Sequence, residues 1–390
     1  MDKIKILFVI TRLNNGGAAK CAIWLSGMLD EKKFKTILIS GKTEGNENDI
    51  LWYARKHGVS PVIIPCMKRS LNPFSDLISF LKLYRLILKE KPDIVHTHMS
   101  KAGLLGRTAA IFYNRFHQEK IKVVHTFHGH VFHSYFSGIK TRLFVFLEKR
   151  LLKKTDAIIA ISRKLRDEIC HILKVENKKK FRIIPLGIDF VPVGRVRSRK
   201  LPTREIHIGM LGRLAPVKNY SLAVEIASIL AREKTPVKIL IGGGGSGRDF
   251  KKINQYNVEN ISFLGNIKKP EDFWKKIDIA LITSKNEGTP VSLIEAMFSG
   301  IPFIASMVGG IPDMATGLMK REENLFIYDN CILIKGFDPD DFEKAIRFFS
   351  NSEIRRKAGK LSKRFAEENF SVNRLIKDIE ILYSDLLENE

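Results

Sequence analysis

Along the chain, short β-branched runs alternate with stretches whose apolar residues recur every three to four positions. The runs IKILFVI, FKTILIS, DIVHTH, KVVHTF, DAIIAIS and FRIIPLG have the length and composition of buried strands, and the segments between them carry a helical period. Such alternation predicts α/β structure with parallel sheets, because a parallel neighbour is reached only through a crossover. After Asp189 the pattern lapses: FVPVGRVRSRKLPTRE has two prolines, several basic residues and neither period. It resumes with HIGMLGRL, VKILIGGG, ISFLGNI, DIALITS, IPFIASMVGG and CILIK. The end is helical, with Phe342, Ala345, Ile346 and Phe349 at core spacing and a last helix from about Val372 to Leu387.

This pattern predicts a first α/β domain over 1–190, a linker over 191–205, a second domain over 206–370, and a terminal helix over 371–390 packing back on the first domain. A chain of 390 residues with 44% hydrophobic content supports two cores. Open parallel sheets bind ligands at the carboxyl ends of their strands, so two facing sheets would create a cleft lined by those loops.

Charge narrows the partners. Lys and Arg number 66 against 42 Asp and Glu, a net +24, which favours an anionic partner: nucleic acid, anionic lipid or a phosphate-bearing substrate. No long basic tail, zinc finger or basic–aromatic strand pattern supports nucleic acid. No apolar run approaches the roughly 18 residues of a membrane span, and Ile4 to Ile10, flanked by Asp2 and Asn14-Asn15, reads as a strand and not a signal peptide. Cys21, Cys66, Cys170 and Cys331 are far apart and lack zinc or disulfide spacings, so a reducing cytosol is expected.

The densest chemistry follows the run DIALITS, in Asn286-Glu287-Gly288-Thr289-Pro290-Val291-Ser292-Leu293-Ile294-Glu295-Ala296. Thr289 is expected as N-cap and Pro290 as first helical residue, leaving the amides near Val291 and Ser292 to meet an anion such as a diphosphate. Glu295 could then accept bonds from ribose hydroxyls and Glu287 from another polyol. A plain capped helix with two solvated glutamates is the other reading.

Two glutamates spaced as in E-G-T-P-V-S-L-I-E resemble the EX7E motif of retaining glycosyltransferases of family 4. The resemblance runs through Gly16-Gly17-Ala18, HTH, KAGLLGR, HTFHGH, PLGID, LGRLAPVKN and VGGIPD, in order. It implies a GT-B fold of two Rossmann-like domains, an N-terminal one for the acceptor and a C-terminal one for a UDP- or GDP-sugar, with no essential metal or other cofactor. Residue by residue, it implies that Glu295 holds the ribose and that Glu287 and Gly288 meet the donor sugar. Gly212, Arg213 and Lys218, with the helix start at Val291 and Ser292, meet the diphosphate. A metal-free enzyme must supply fixed positive charge, and an arginine fork with a lysine does so.

Gly16 and Gly17 open the first strand-to-helix turn, where absent side chains let backbone approach a phosphate or acceptor, or simply make a tight turn. Six of the ten histidines, His96, His98, His125, His128, His130 and His133, cluster near two strand ends. His-X-His puts two rings on one face of a strand, so metal binding competes with packing, though no Asp, Glu or Cys stands in a ligand pattern nearby. The resemblance makes His128 the residue beside the donor sugar, with catalytic weight shared among Glu287, His128, Arg213 and Lys218. Gly242 to Gly247 also satisfies G-X-G-X-X-G, yet no acidic residue follows at the spacing a dinucleotide ribose needs.

The helix predicted over Asp76 to Lys89 carries Lys82, Arg85 and Lys89 on a strongly apolar segment, and Ile139 to Lys154 is similarly mixed. Both fit peripheral attachment to an anionic inner membrane face, and both also fit a core helix with a basic outer face. Relatives sharing these motifs are often polysaccharide enzymes acting on lipid-linked acceptors, so a polyprenyl-diphosphate-linked or glycan acceptor is expected. A GT-B-fold nucleotide-sugar epimerase and a basic lipid-binding scaffold are the alternatives.

Overall fold

The computed structural model describes residues 3–44, 49–129, 138–190, 205–244 and 258–388. The predicted linker, apart from Glu205, lies outside them, as do His130, His133 and Gly245 to Gly247. The chain divides into two compact units, Met1–Gly187 with Val372–Glu390, and Ile188–Ser371.

In the first unit seven parallel strands lie in the order β3-β2-β1-β4-β5-β6-β7. They are β1 (Ile4–Ile10), β2 (Phe34–Gly41), β3 (Val62–Ile64), β4 (Ile94–His98), β5 (Lys122–Phe127), β6 (Ala157–Ala160) and β7 (Phe181–Ile183). The order reverses between β1 and β4, paired with Ile10 opposite His98. The helix over Ser100–Phe116, which begins with the KAGLLGR segment, packs closely on the sheet because it presents glycines. A Cβ on Gly103 would lie 2.5 Å from the His125 ring, and one on Gly106 would lie 2.7 Å from Thr97 Cγ2. On the same helix the buried Arg107 forks both oxygens of the buried Glu148 at 2.6 and 2.7 Å and donates to Gly103 O at 2.8 Å. Glu148 lies on the helix Gly138–Lys153, so that helix turns one charged position inward.

The terminal helix, Val372–Glu388, belongs to this unit. Arg374 donates to Pro185 O at 2.7 Å, Glu380 accepts from the Asp30 amide at 3.0 Å, and the Tyr383 hydroxyl lies 2.6 Å from His96 Nδ1.

The second unit has eight strands ordered β10-β9-β8-β11-β12-β15-β14-β13. Parallel β8 (Ile206–Leu211), β9 (Val237–Gly242), β10 (Ile261–Gly265), β11 (Ile279–Ile282), β12 (Phe303–Ser306) and β15 (Cys331–Ile334) reverse order between β8 and β11. An antiparallel hairpin, β13 (Leu318–Glu322) and β14 (Leu325–Tyr328), extends the far edge. Phe342, Ala345, Ile346 and Phe349 are all buried against this sheet's core. Both units are Rossmann-like, and together they form a GT-B fold.

Candidate active site

In the second unit the loops after β8 and β11 flank the reversal of strand order, the place where open sheets bind ligands. The loop after β8 runs through Gly212 and Arg213 to a turn over Pro216–Lys218, with Asn219 in the left-handed region at φ 52°. The loop after β11 carries Glu287. Lys218 Nζ donates to Glu287 Oε1 at 2.6 Å, and Ser284 Oγ donates to the same oxygen at 2.6 Å. The lysine and glutamate side chains keep 21% and 11% of their accessibility, so the pair is reachable from solvent.

Backbone contacts hold the two loops together. Lys285 N donates to Val217 O at 2.8 Å, and Thr283 Oγ1 donates to the carbonyls of Lys218 and Asn219 at 2.9 and 3.1 Å. Gly310 N donates to Gly288 O at 2.8 Å, and a Cβ on Gly309, at φ 57°, would stand 1.5 Å from Glu287 O. The VGGIPD loop is therefore a support under Glu287, a close approach that only glycine permits.

Gly212 sits inside a similar cradle: its amide donates to Gly242 O at 3.0 Å and its carbonyl accepts from Tyr220 at 3.0 Å. Gly243, at φ 154°, has no room for a side chain, since a Cβ would fall 1.7 Å from Gly212 O. Burial, and then the Glu287 carboxylate, push the Tyr220 phenol well up, so it remains a donor. Arg213 is exposed and, among the described residues, makes no ion pair.

The helix after this loop spans Val291–Phe298. Pro290, not Thr289, occupies its N-cap position, at φ −71° and ψ 115°, and no side chain caps it. Proline locks φ in a range that the cap position tolerates, which moves the helix start one residue on from the sequence expectation. The first amides, from Val291 and Ser292, keep the partial positive charge of a helix start. Glu295 lies further along, 9% exposed, and accepts from Trp274 Nε1 at 3.3 Å through Oε2.

In the first unit, Gly16 is the N-cap of the helix Gly17–Met28. Its φ of −151° suits any residue, and a Cβ there would meet only the Asn14 side chain, at 3.8 and 4.0 Å. Sterics do not require glycine at this position; its effect is to leave the helix start uncovered.

His96, His98 and His128 form a connected cluster beside the first unit's strand reversal, whereas His125 faces Gly103 of the helix Ser100–Phe116. His96 lies 2.6 Å from the Tyr383 hydroxyl and 2.7 Å from Thr126 Oγ1, and His125 lies 2.8 Å from Thr97 Oγ1, so both are satisfied by packing partners. His128 Nε2 meets His98 Nδ1 at 2.8 Å, a partnership the sequence reading did not draw, although His98 ends β4 beside Thr126 of β5. Met99, immediately after, adopts φ 65°. No three His, Cys, Asp or Glu among the described residues form a metal-binding group.

Burial holds these imidazoles neutral: it lowers His96 to about 3, with help from the His128 charge, and His128 to about 4, while His98 and His125 fall well below the usual range. An unfolded histidine titrates near 6.5, so the unfolded chain takes up protons first as pH drops. The stability these groups contribute is complete above about pH 6.5 and lost as pH falls toward their folded values. Thermal unfolding followed by circular dichroism should therefore show a midpoint that decreases from pH 7 to pH 5, and a smaller decrease in His96→Gln.

Two Rossmann-like domains, one with cationic, amide and carboxylate groups gathered at its strand reversal, make up the GT-B fold of glycosyltransferases. Residues 15–191 match Glycosyltransferase Family 4 and residues 196–370 match Glycosyl transferases group 1, and the chain belongs to these glycosyltransferases. It is 28% identical to the UDP-Gal:alpha-D-GlcNAc-diphosphoundecaprenol alpha-1,3-galactosyltransferase of Escherichia coli, covering 100% of this chain and 99% of that one. It is 25% identical to the capsular polysaccharide biosynthesis glycosyltransferase CapM of Staphylococcus aureus, over 84% of this chain and 85% of CapM. Among solved structures, a glycosyltransferase from Rickettsia africae superposes with a TM-score of 0.76 at 18% identity, over 100% of both chains. Anabaena HepE in complex with UDP gives 0.75 at 17%, over 98% of this chain and 100% of HepE. The chain is therefore an enzyme, a glycosyltransferase.

Proposed function

We propose that this glycosyltransferase moves a hexosyl or N-acetylhexosaminyl group, with retention of configuration, from a UDP- or GDP-sugar to a polyprenyl-diphosphate-linked glycan. The observation that carries this reading is the solvent-accessible Lys218–Glu287 pair beside an uncapped helix start, at the strand reversal of the C-terminal sheet. The donor and acceptor in the name of the E. coli relative support the substrate class.

In this reading Arg213, Lys218 and the amides of Val291 and Ser292 take up the charge that develops as the nucleoside diphosphate departs. Fixed cations thus do the work of a metal ion, and no cofactor is needed. Glu287 and Gly288 orient the donor sugar, and Glu295 holds the ribose. The family resemblance assigns His128 to the same sugar and Gly16 and Gly17 to the phosphate or acceptor side. The acceptor hydroxyl attacks from the face that the diphosphate leaves, and the leaving phosphate takes the proton. In this reading Glu287 acts as an orienting group for the sugar and not as a nucleophile.

A panel of UDP- and GDP-sugars offered with native membrane lipid tests the proposal, with the product's anomeric coupling read by NMR. One donor should yield a product whose anomeric configuration matches the donor's. An inverted product would sink the retaining mechanism, and isomerised donor without glycoside would point to an epimerase.

The membrane reading is refined by the helix Pro73–Glu90. It exposes Phe74, Leu77 and Leu81 at 74%, 56% and 44%, alongside exposed Lys82, Arg85 and Lys89. No helix among the described residues is long and apolar enough to cross a membrane. Peripheral attachment to the anionic cytoplasmic face by this helix follows as part of the proposal. Each basic side chain near such a surface contributes about 1 kcal/mol, so replacing Lys82, Arg85 and Lys89 with alanine should weaken vesicle binding roughly a hundredfold. Co-sedimentation with phosphatidylglycerol vesicles checks this, and unchanged binding would rule out this helix as the contact.

A further inference from the structure

The charged pair of the candidate site is held by two neighbouring hydroxyls at the end of one strand. Thr283 and Ser284 directly follow β11, and both are buried. Thr283 Oγ1 reaches across to the loop after β8, donating to Lys218 O and Asn219 O. Ser284 Oγ turns the other way and donates to Glu287 Oε1 at 2.6 Å. The segment is itself anchored, since Ser306 Oγ donates to Ser284 O at 2.8 Å and Lys285 N donates to Val217 O.

We propose that Thr283 and Ser284 are positioning residues of the transfer reaction, Thr283 fixing the backbone that carries Lys218 and Ser284 keeping Glu287 aimed. The inference rests on the donor-site reading above. A lysine ammonium sits on a flexible stem and is drawn to phosphate, so an arriving diphosphate competes with Glu287 for Lys218 Nζ. Once Lys218 turns to the donor, Glu287 loses that partner, and the Ser284 hydroxyl, fixed by its own buried backbone, holds the carboxylate in place. Lys218 can make this exchange by side-chain rotation alone, because its carbonyl and that of Asn219 are tied to Thr283. Each hydroxyl thus serves one of the two charged groups, and their loss should have different kinetic signatures.

The test uses the full chain and the donor that the panel selects, with Glu287→Gln as reference. Ser284→Ala should lower kcat about tenfold to a hundredfold, the scale of a hydrogen bond to a charged group, while binding of UDP or GDP in direct titration stays within about twofold. Ser284→Thr, which keeps the hydroxyl, should recover most of that loss. Thr283→Val, which keeps the shape and loses both bonds, should weaken nucleoside-diphosphate binding as well as turnover, and Thr283→Ser should recover both. If Ser284→Ala does not fold, Ser284→Cys carries the same comparison with a weaker donor at nearly equal volume. Wild-type turnover in Ser284→Ala or Ser284→Cys, with Glu287→Gln inactive, overturns the proposal and leaves the donor site standing. Normal turnover in Glu287→Gln overturns both.

Discussion

Replacing Glu287 with alanine is expected to lower turnover about a hundredfold to a thousandfold, the range seen when an orienting or charge-stabilising group is deleted from a preorganised site. The fold should survive. The loop's shape depends on backbone, through Gly310 N donating to Glu287 O at 3.3 Å and to Gly288 O at 2.8 Å, and neither bond needs the carboxylate. Lys218, left without this partner, keeps access to water, so the stability cost should be about 1 kcal/mol or less. Thermal unfolding and donor turnover measured on the same preparation separate the two effects: a large kinetic loss with a small change in midpoint is the expected pattern.

Lys218→Ala should be at least as damaging, because one substitution removes a cation from the leaving group and a partner from Glu287. Lys218→Arg should not restore the rate. A planar guanidinium does not fit a point-charge position whose ammonium lies 2.6 Å from Glu287 Oε1 and 3.6 Å from where a Cβ on Gly212 would stand. In the Lys218→Ala, Glu287→Ala double variant the losses should fall short of additive, since the two side chains are in contact before the donor arrives and serve the same transition state. Additive losses in kcat/KM would mean that the two side chains act separately.

Much of this architecture can be read from the chain's periodicity. The alternation of β-branched runs with helical segments marks the parallel strands of both units, and the spacing of Phe342, Ala345, Ile346 and Phe349 marks a buried face. The hairpin of β13 and β14 escapes that reading, because Leu318–Glu322 is exposed along its whole length and has no alternation to reveal it. The glutamates and Lys218 are legible through motif resemblance. Their mutual contact is not, since it depends on how the loops after β8 and β11 fold onto each other. Ser284 and Thr283 are indistinguishable in sequence from the end of a strand, although a hydroxyl three residues before Glu287 is a usable signal in retrospect. The glycines divide in the same way: Gly103, Gly243 and Gly309 are required by atoms distant in sequence, whereas Gly16 meets no such demand. His98 lies in the same position, because its partner His128 directly follows the next strand and only the sheet register brings them together.

The most direct test of the account is release of free nucleoside diphosphate from UDP- and GDP-sugars, with native membrane lipid present or absent, by the wild-type chain and by Glu287→Ala. The account predicts release from one donor, dependent on lipid and lost in the variant. Release that persists undiminished in Glu287→Ala would contradict it.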